Sequence, residues 1–393
     1  MATISVQRDG ATTRQHHESE ATSFATGQPA GIRRHSVAVV DANIRHSQQI
    51  AEALLSFYAI SSYADGTNAL AALSLNPPGL ILVGDKVGAQ AGLRFIKALR
   101  QVSALSHTPV LFIAERADSD VINAAMAQGA DAYLVKPYRR SSLIRAISTQ
   151  LNASIEKKWE ALPILQSTAL KGTVEAFNDI ADVIASGETL PFGAVSDACS
   201  PLIEAVQKNE YKGILNGVKD HDNYSYSHSM RVATLLSLFG TAAGVKGDDL
   251  LVLASGGLLH DIGKMTIPHD ILNKPGRLDD SEFGIMKGHV PETVRILRSN
   301  AEVPRLVVDI AEQHHEKISG DGYPNGLKGR ELNELARMAA IVDVFSALTD
   351  RRVYKPPMPS EKAIGIMTDE MGQHLDQQFL KLFKNMLLDA VSV

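Results

Sequence analysis

Asp249-Leu-Leu-Val-Leu-Ala-Ser-Gly-Gly-Leu-Leu-His260-Asp261-Ile-Gly-Lys264 is a helix-length apolar run that closes on an imidazole, a carboxylate and an ammonium. A helix that is apolar nearly all round is buried. The adjacent His260 and Asp261 at its end are then buried as well, and buried polar groups need partners. Lys264 falls four residues after His260, on the same face if the helix continues. A single pair of this kind reads as a structural ion pair, so its neighbours in sequence decide its meaning.

Several more groups of the same chemistry follow one pattern. His228, in Ser225-Tyr-Ser-His-Ser-Met-Arg231, opens an apolar helix expected to reach Phe239. His289 follows Gly284-Ile-Met-Lys-Gly288. His314 and His315 end a helix expected over Val303–Gln313, and Glu316 and the loop Gly320-Asp-Gly-Tyr-Pro324 come next. Asp343 lies in the apolar stretch Arg337-Met-Ala-Ala-Ile-Val-Asp-Val-Phe345, where an unpaired carboxylate is expensive. Taken singly, His228 or His289 reads as a core histidine with satisfied hydrogen bonds. Together, these imidazoles and carboxylates point to a pair of divalent metals, because cations offset the cost of burying them. Imidazole and carboxylate ligation without thiolate suits Fe, Mn or Zn. Paired metals with open positions can hydrolyse a phosphodiester. His221, His269 and His374 have no such context and are expected to make structural hydrogen bonds.

The 393 residues suffice for about two or three domains. A composition of 45% hydrophobic and 21% charged residues is that of globular protein with substantial cores. The net charge of −5 argues against sequence-independent binding of a nucleic acid polymer, which needs a basic face. It leaves room for a small anionic ligand in a locally positive pocket. The one cysteine, Cys199, excludes an internal disulfide framework and fits a reducing compartment. No apolar run reaches the roughly 18 residues of a membrane span, and the N-terminus has no apolar signal core. The expectation is a cytoplasmic protein that is not embedded in a membrane.

Residues 1–34 are rich in Ser, Thr, Gln, Gly and Ala and are expected to form a disordered tail. From residue 35 to 151, apolar β-rich runs alternate with helical patterns. Ser36-Val-Ala-Val-Val-Asp41, Leu80-Ile-Leu-Val83, Val110-Leu-Phe-Ile113 and Ala132-Tyr-Leu-Val135 read as strands, and 47–57 as a helix. That alternation predicts an α/β, doubly wound, flavodoxin-like parallel sheet. Ligands of such sheets sit at the strand C-termini, where Asp41, Gly84, Asp85, Ala114 and Lys136 fall. Beyond about residue 140 the pattern is helical: a long helix over 143–161 carrying Trp159, then helices over 168–186 and 201–217, with breaks at Gly187 and Pro191. The expected division is a helical linker at 152–197 and an all-α domain at 198–393.

The stretch 35–151 resembles the receiver domain of two-component response regulators, on Asp41, Gly129-Ala-Asp-Ala-Tyr133 and Lys136-Pro137. The departures matter more. The phosphoacceptor position falls on Gly84, with Asp85 one residue late. The acidic partner of Asp41 is Ala42, and the hydroxyl residue that senses the phosphoryl group is Ala114. A one-residue shift turns a strand side chain to the other face. The receiver-like domain is therefore expected not to be phosphorylated by the usual route, and to serve in dimerisation or docking. Tyr133 is expected to pack in the core.

From about Asp222 onward the chain resembles the HD-GYP branch of the HD phosphohydrolase superfamily. The resemblance rests on His228-x-x-Arg231, Leu259-His-Asp-Ile-Gly-Lys264, Ile267-Pro268, Ile271-Leu272-x-Lys274-Pro275-Gly276, Met286-Lys287-x-His289, His314-His-Glu316, Gly322-Tyr-Pro324, Leu327-Lys-Gly329 and Asp343, in that order. It implies two divalent metals, with iron or manganese favoured by family habit. One would be held by His228, His260 and Asp343, the other by His289, His314 and His315, with Asp261 bridging. It implies hydrolysis of cyclic di-GMP to pGpG, with a second cut to GMP left open. Lys264 would take up phosphoryl charge, and Arg352, Lys355 and Tyr323 would contact the dinucleotide. The Gly-Tyr-Pro loop could instead dock a signalling partner. Some members hold a third metal through a Glu four residues before the first His; Tyr224 stands there, so two metals are expected. Ser319, Ser346 and Val353 replace an Asp, an Asp and a Pro of the family pattern, which bears on turnover more than on the metal set. Two other readings remain: a cyclic-dinucleotide-binding or interaction scaffold with little turnover, and a phosphodiesterase for another cyclic dinucleotide such as cyclic GMP-AMP.

Overall fold

Apolar strands that alternate their side chains between two covered faces organise the first half of the protein. The computed structural model describes residues 36–54, 58–87, 90–219, 221, 223–272, 274, 276–350 and 357–391; the expected tail at 1–34 lies outside them. The strands are β1 (Ser36–Val40), β2 (Ala59–Tyr63), β3 (Leu80–Gly84), β6 (Val110–Ala114) and β7 (Ala132–Val135), with a short antiparallel pair β4 (Lys86–Val87) and β5 (Gln90–Ala91) beyond β3. The five long strands are parallel, in the order β2-β1-β3-β6-β7. Helices α1 (Ile44–Leu54), α2 (Gly66–Leu75), α3 (Gly92–Arg100) and α4 (Ser119–Ala127) connect them, and α5 (Arg140–Trp159) follows β7.

The two faces carry separate cores. Val37, Val39, Leu80, Leu82, Leu111 and Ile113 pack with Ile50 and Leu54 of α1 and with Leu143, Ile144 and Ile147 of α5. Ala38, Val40, Ile81, Val83, Phe112 and Ala114 pack with Leu73, Phe95 and Ile122 of α2, α3 and α4. Strands buried on both faces read as continuous apolar runs, which is why β1, β3 and β6 stand out in sequence. Strand β2, Ala-Ile-Ser-Ser-Tyr, is an edge strand with no fully buried residue and gave no such signal. Tyr133 corrects another expectation: it is 49% exposed rather than part of the core.

The rest of the chain is helical: α6 (Ile164–Ser186), α7 (Phe192–Gln207), α8 (Lys212–Val218), α9 (Tyr224–Ala242), α10 (Asp248–Leu259), α11 (His269–Leu272), α12 (Asp280–Lys287), α13 (His289–Arg298), α14 (Arg305–Gln313), α15 (Glu334–Thr349), α16 (Ser360–Asp369) and α17 (Gln377–Val391). The breaks expected at Gly187 and Pro191 are present, Gly187 ending α6 with φ 71°. Pro201 does not begin a helix; it lies inside α7, and the helix expected over 201–217 is divided near Asn209, which has φ 60°. One core runs from Trp159 through α6 and α7 to Phe383 and Met386. Trp159, Leu170, Phe177, Ile180, Leu190 and Val195, from the stretch read in sequence as a helical linker, are part of this core. No helix among the described residues is long and apolar enough to cross a membrane.

Candidate metal centre

The site lies where α9, α10, α13, α14 and α15 converge. Asn223 starts α9 by accepting from Tyr226 N at 3.1 Å, which puts His228 in the early turns of that helix. Helix α10 ends at Leu259 with His260 as its C-cap, and a 3-10 helix over Ile262–Thr266 follows. The α-helix does not continue, so Lys264 does not sit one turn above His260. It meets the Asp261 carboxylate instead, three residues back. Gly263 makes this turn possible. A Cβ there would run into the His289 carbonyl and come within 2.7 Å of Thr293 Oγ1. Without it, Gly263 N donates to Thr293 Oγ1 at 2.9 Å, and Asp261 is carried up against α13.

His260, Asp261, His289 and His314 are each at most 4% exposed, and His228 and Asp343 are 5% and 7% exposed. Their donor atoms form two groups: His228, His260, Asp261 and Asp343, and Asp261, His289, His314 and His315. Within each group one donor atom per residue lies within 4.8 Å of the others, and Asp261 belongs to both. Its two oxygens divide between them. Asp261 Oδ2 is 3.3 Å from His260 Nε2 and 3.8 Å from His228 Nε2; Oδ1 is 3.2 Å from His289 Nε2 and 3.6 Å from His314 Nε2. Asp343 Oδ1 is 3.0 Å from His228 Nε2, and Oδ2 is 4.0 Å from His315 Nδ1.

Three of the imidazoles have a fixed tautomer. Nδ1 of His260, His289 and His314 donates to the carbonyls of Gly257, Met286 and Ala311 at 2.8, 2.6 and 2.9 Å. Each Nε2 faces inward, buried and without a hydrogen-bond partner, as does Asp261 Oδ1. Orphaned buried acceptors of this kind are rare and call for an explanation. Divalent cations between them would supply it, and an all N/O donor set suits Fe, Mn or Zn. The residues present fit the group that the sequence implied.

The electrostatics agree with such a role. Burial opposes charge on His260, but Asp261 and Asp343 outweigh it and raise the imidazole to about 10. His228 is raised against burial by Asp343 and Asp350. Asp261 and Asp343 are held well below the usual carboxylate range despite burial, Asp261 by Lys264 and His260, Asp343 by His228 and His260. Burial lowers His314, and burial with the neighbouring His314 lowers His315 further. The carboxylates thus favour positive charge beside His228 and His260, which a proton or a metal cation can supply, while burial disfavours charge on His314 and His315.

Sequence reasoning missed Asp350. Its Oδ2 accepts from His228 Nδ1 at 3.0 Å and its Oδ1 lies 2.9 Å from Arg231, which also donates to Thr349 Oγ1. No local signal pointed to it, because Asp350 caps the end of α15 in an extended conformation and its partners lie on α9. Glu316, only 3% exposed, accepts from Asn325 N at 2.6 Å and Leu327 N at 3.1 Å and so ties down the Gly-Tyr-Pro loop. Tyr323 in that loop stacks on His315, with ring centroids 4.8 Å apart. Ser346 is fully buried, and its Oγ has no partner. Arg352, Val353 and Lys355 lie outside the described residues.

The receiver-like pocket is also assembled, with different partners. Asp41 pairs with His46 Nδ1 at 2.6 Å, and His46 Nε2 reaches the Tyr138 hydroxyl at 2.7 Å. A Cβ on Gly84 would stand 2.6 Å from Asp41 Oδ2, so that carboxylate fills the space where an acceptor side chain would project. Asp85 falls in the bend after β3, and its carbonyl accepts from Gly92 N. Lys136 points to Glu115 Oε1 at 2.6 Å rather than to Asp41. Ala114 is buried at the end of β6.

Comparison with known proteins places both halves. Residues 37–148 match the response regulator receiver domain and residues 214–379 match the HD domain. The chain is therefore a receiver domain fused to an HD domain. It is 36% identical over 233 residues to a cyclic di-GMP phosphodiesterase of Pseudomonas aeruginosa, covering 58% of this chain and 55% of that protein. It is 35% identical over 164 residues to 3'3'-cGAMP-specific phosphodiesterase 3 of Vibrio cholerae, covering 42% and 35%. It is 26% identical over 319 residues to the cyclic di-GMP phosphodiesterase response regulator RpfG of Xanthomonas campestris, covering 81% and 78%. The chain spans about half the length of the Pseudomonas relative and about a third of the Vibrio one.

Proposed function

We propose that this protein is a metal-dependent phosphodiesterase of the HD-GYP type that opens cyclic di-GMP to pGpG and cuts again to GMP. The observation that carries the reading is a pair of four-donor groups sharing Asp261, lined by buried nitrogens without other partners. His228, His260, Asp261 and Asp343 would hold one divalent ion, and His289, His314, His315 and Asp261 the other, with iron or manganese the expected metals. Bound there, the pair would supply Lewis acidity and a water of lowered pKa. The protein contributes orientation. The backbone carbonyls of Gly257, Met286 and Ala311 lock the three Nε2 lone pairs inward. Lys264, already drawn to Asp261, is a cation placed to meet charge developing on phosphoryl oxygens. Tyr323, stacked on His315, lies against the site and is assigned to substrate contact, as are Arg352 and Lys355. The receiver-like domain is assigned a docking or dimerisation role without phosphorylation.

Protein loaded with Fe²⁺ or Mn²⁺ and incubated with cyclic di-GMP should yield pGpG and GMP on chromatography, and His260→Ala with Asp261→Ala should yield neither. Product absent from protein of confirmed metal content would refute the proposal. A second substrate is favoured by one comparison: the Vibrio relatives named 3'3'-cGAMP-specific match at 35% identity, level with the 36% of the Pseudomonas enzyme. Competition between cyclic di-GMP and cyclic GMP-AMP decides between them.

A further inference from the structure

Each outer histidine of the cluster carries an aromatic ring. Tyr224 stacks on His228, with centroids 5.9 Å apart and planes 17° from parallel. On the other side Tyr323 stacks on His315 at 4.8 Å and 29°, and Phe283 of α12 meets the Tyr323 ring edge-on at 6.2 Å. His228 belongs to one donor group and His315 to the other, so each group carries one stacked aromatic ring. Tyr224 is 43% exposed and Phe283 45%.

The Phe283 position is held firmly. Asp279 and Glu282 form a capping box at the start of α12, and Lys274 grips the Glu282 carboxylate. Helix α12 buries none of its residues, so packing does not explain the aromatic it presents. Lys287 Nζ lies 5.1 Å from the centre of the Phe283 ring. The ammonium sits over the ring, from where a stacking base would displace it to the base edge, and such donors recognise guanine O6 and N7.

We propose that Tyr224 and Phe283 are substrate-positioning platforms, each stacking one purine of a dinucleotide whose phosphodiester lies at the cluster between them, with Lys287 favouring guanine at the Phe283 end. The proposal rests on the phosphodiesterase reading and extends it to base recognition. Stacking on an aromatic tolerates any base because every base has a π-face. Discrimination would come from Lys287, which can bond both O6 and N7 of guanine but meets the N6 donor beside N7 of adenine.

The test compares cyclic di-GMP with bis(p-nitrophenyl) phosphate, a diester without purines, on full-length metal-loaded protein. Tyr224→Ala and Phe283→Ala should each lower the ratio of kcat/KM for the two substrates by roughly five- to a hundredfold, the range of base stacking. The loss should appear in KM for cyclic di-GMP. Tyr224→Phe and Phe283→Trp should restore the ratio, and Lys287→Met should reduce the preference for cyclic di-GMP over cyclic di-AMP. A ratio that stays fixed, because both substrates suffer equally or neither does, overturns the proposal. Calorimetric titration of cyclic di-GMP reads the platforms apart from turnover. A protein that binds the dinucleotide but does not cut it defeats the phosphodiesterase reading alone, and the alanine variants must then weaken Kd by the same factor. A protein that does not bind it, or alanine variants that bind it equally well, overturns the platforms.

Discussion

His228 differs from the other buried imidazoles in what holds its Nδ1. His260, His289 and His314 donate to backbone carbonyls, whereas His228 donates to Asp350, itself fixed by Arg231. A carboxylate behind a ligating histidine raises its basicity and fixes its ring. Asp350→Asn keeps the shape and removes the charge. It should weaken metal binding at the His228 group about 10- to 100-fold, the usual cost of losing such a partner, and leave the His289 group loaded. Dialysis against limiting metal followed by elemental analysis should then give a stoichiometry near one, against the two expected of the unmodified protein. Equal loss from both groups would contradict this. Arg231 stood out in sequence only as part of a motif, and Asp350 not at all. Its partner is set by the crossing of α9 and α15, which spacing along one helix does not reveal.

At the scale of elements, the turn after α10 governs whether the two groups can share Asp261. Gly263 lies so close to the His289 carbonyl that a methyl group cannot be accommodated without moving α13 or the turn. Gly263→Ala should therefore cost roughly 1–3 kcal/mol, the range for overpacking, and reduce metal content, because Asp261 and His289 are displaced relative to each other. Thermal unfolding with and without added Mn²⁺ checks both parts; a stable variant with full metal content would show that the approach is not required. The sequence marked the end of the apolar run at His260 but left open whether the helix went on. Nothing local settles that, since the 3-10 geometry follows from contact with α13. Similarly, β1, β3 and β6 were legible because both of their faces are covered, while β2 is polar on an open edge and was not. Tyr133 was misjudged because a strand pattern gives alternation and does not reveal which outer positions remain uncovered.

The helical core extends back through α7, and Cys199 there reports on it. The thiol is fully buried, and burial raises it to about 12. The thiolate is the reactive form, so at any pH well below 12 a folded core should leave Cys199 unlabelled. Native protein at pH 8 should react with a thiol reagent only as fast as the core opens, and denaturant that melts the helical part should release one equivalent. Fast labelling of native protein would mean that α7 is loose and not part of the core.

The receiver-like half raises the question of whether its phosphorylation chemistry is dormant or structurally replaced. Gly84 stands at the acceptor position, and the obvious repair is Gly84→Asp. The geometry opposes it. The new Cβ would sit 2.6 Å from both Cγ and Oδ2 of Asp41, which is pinned by His46 at 2.6 Å and by Asn43 N at 2.8 Å. His46 is tied in turn to Tyr138 at the start of the segment leading into α5. The cation that would balance a second carboxylate, Lys136, is engaged by Glu115. Two carboxylates forced together without a cation repel, and one must take up a proton. Gly84→Asp should therefore destabilise the receiver half by roughly 1–3 kcal/mol through overpacking and should not take a phosphoryl group from acetyl phosphate in the presence of Mg²⁺. Mass spectrometry and thermal unfolding of the same preparation test both outcomes. A stable, phosphorylated variant would mean that the Asp41–His46–Tyr138 chain yields easily and that the pocket has kept its receiver chemistry. An unstable, unphosphorylated one would mean that the hydrogen-bonded chain has taken the place of the phosphoryl site and fixes β1 to the start of α5.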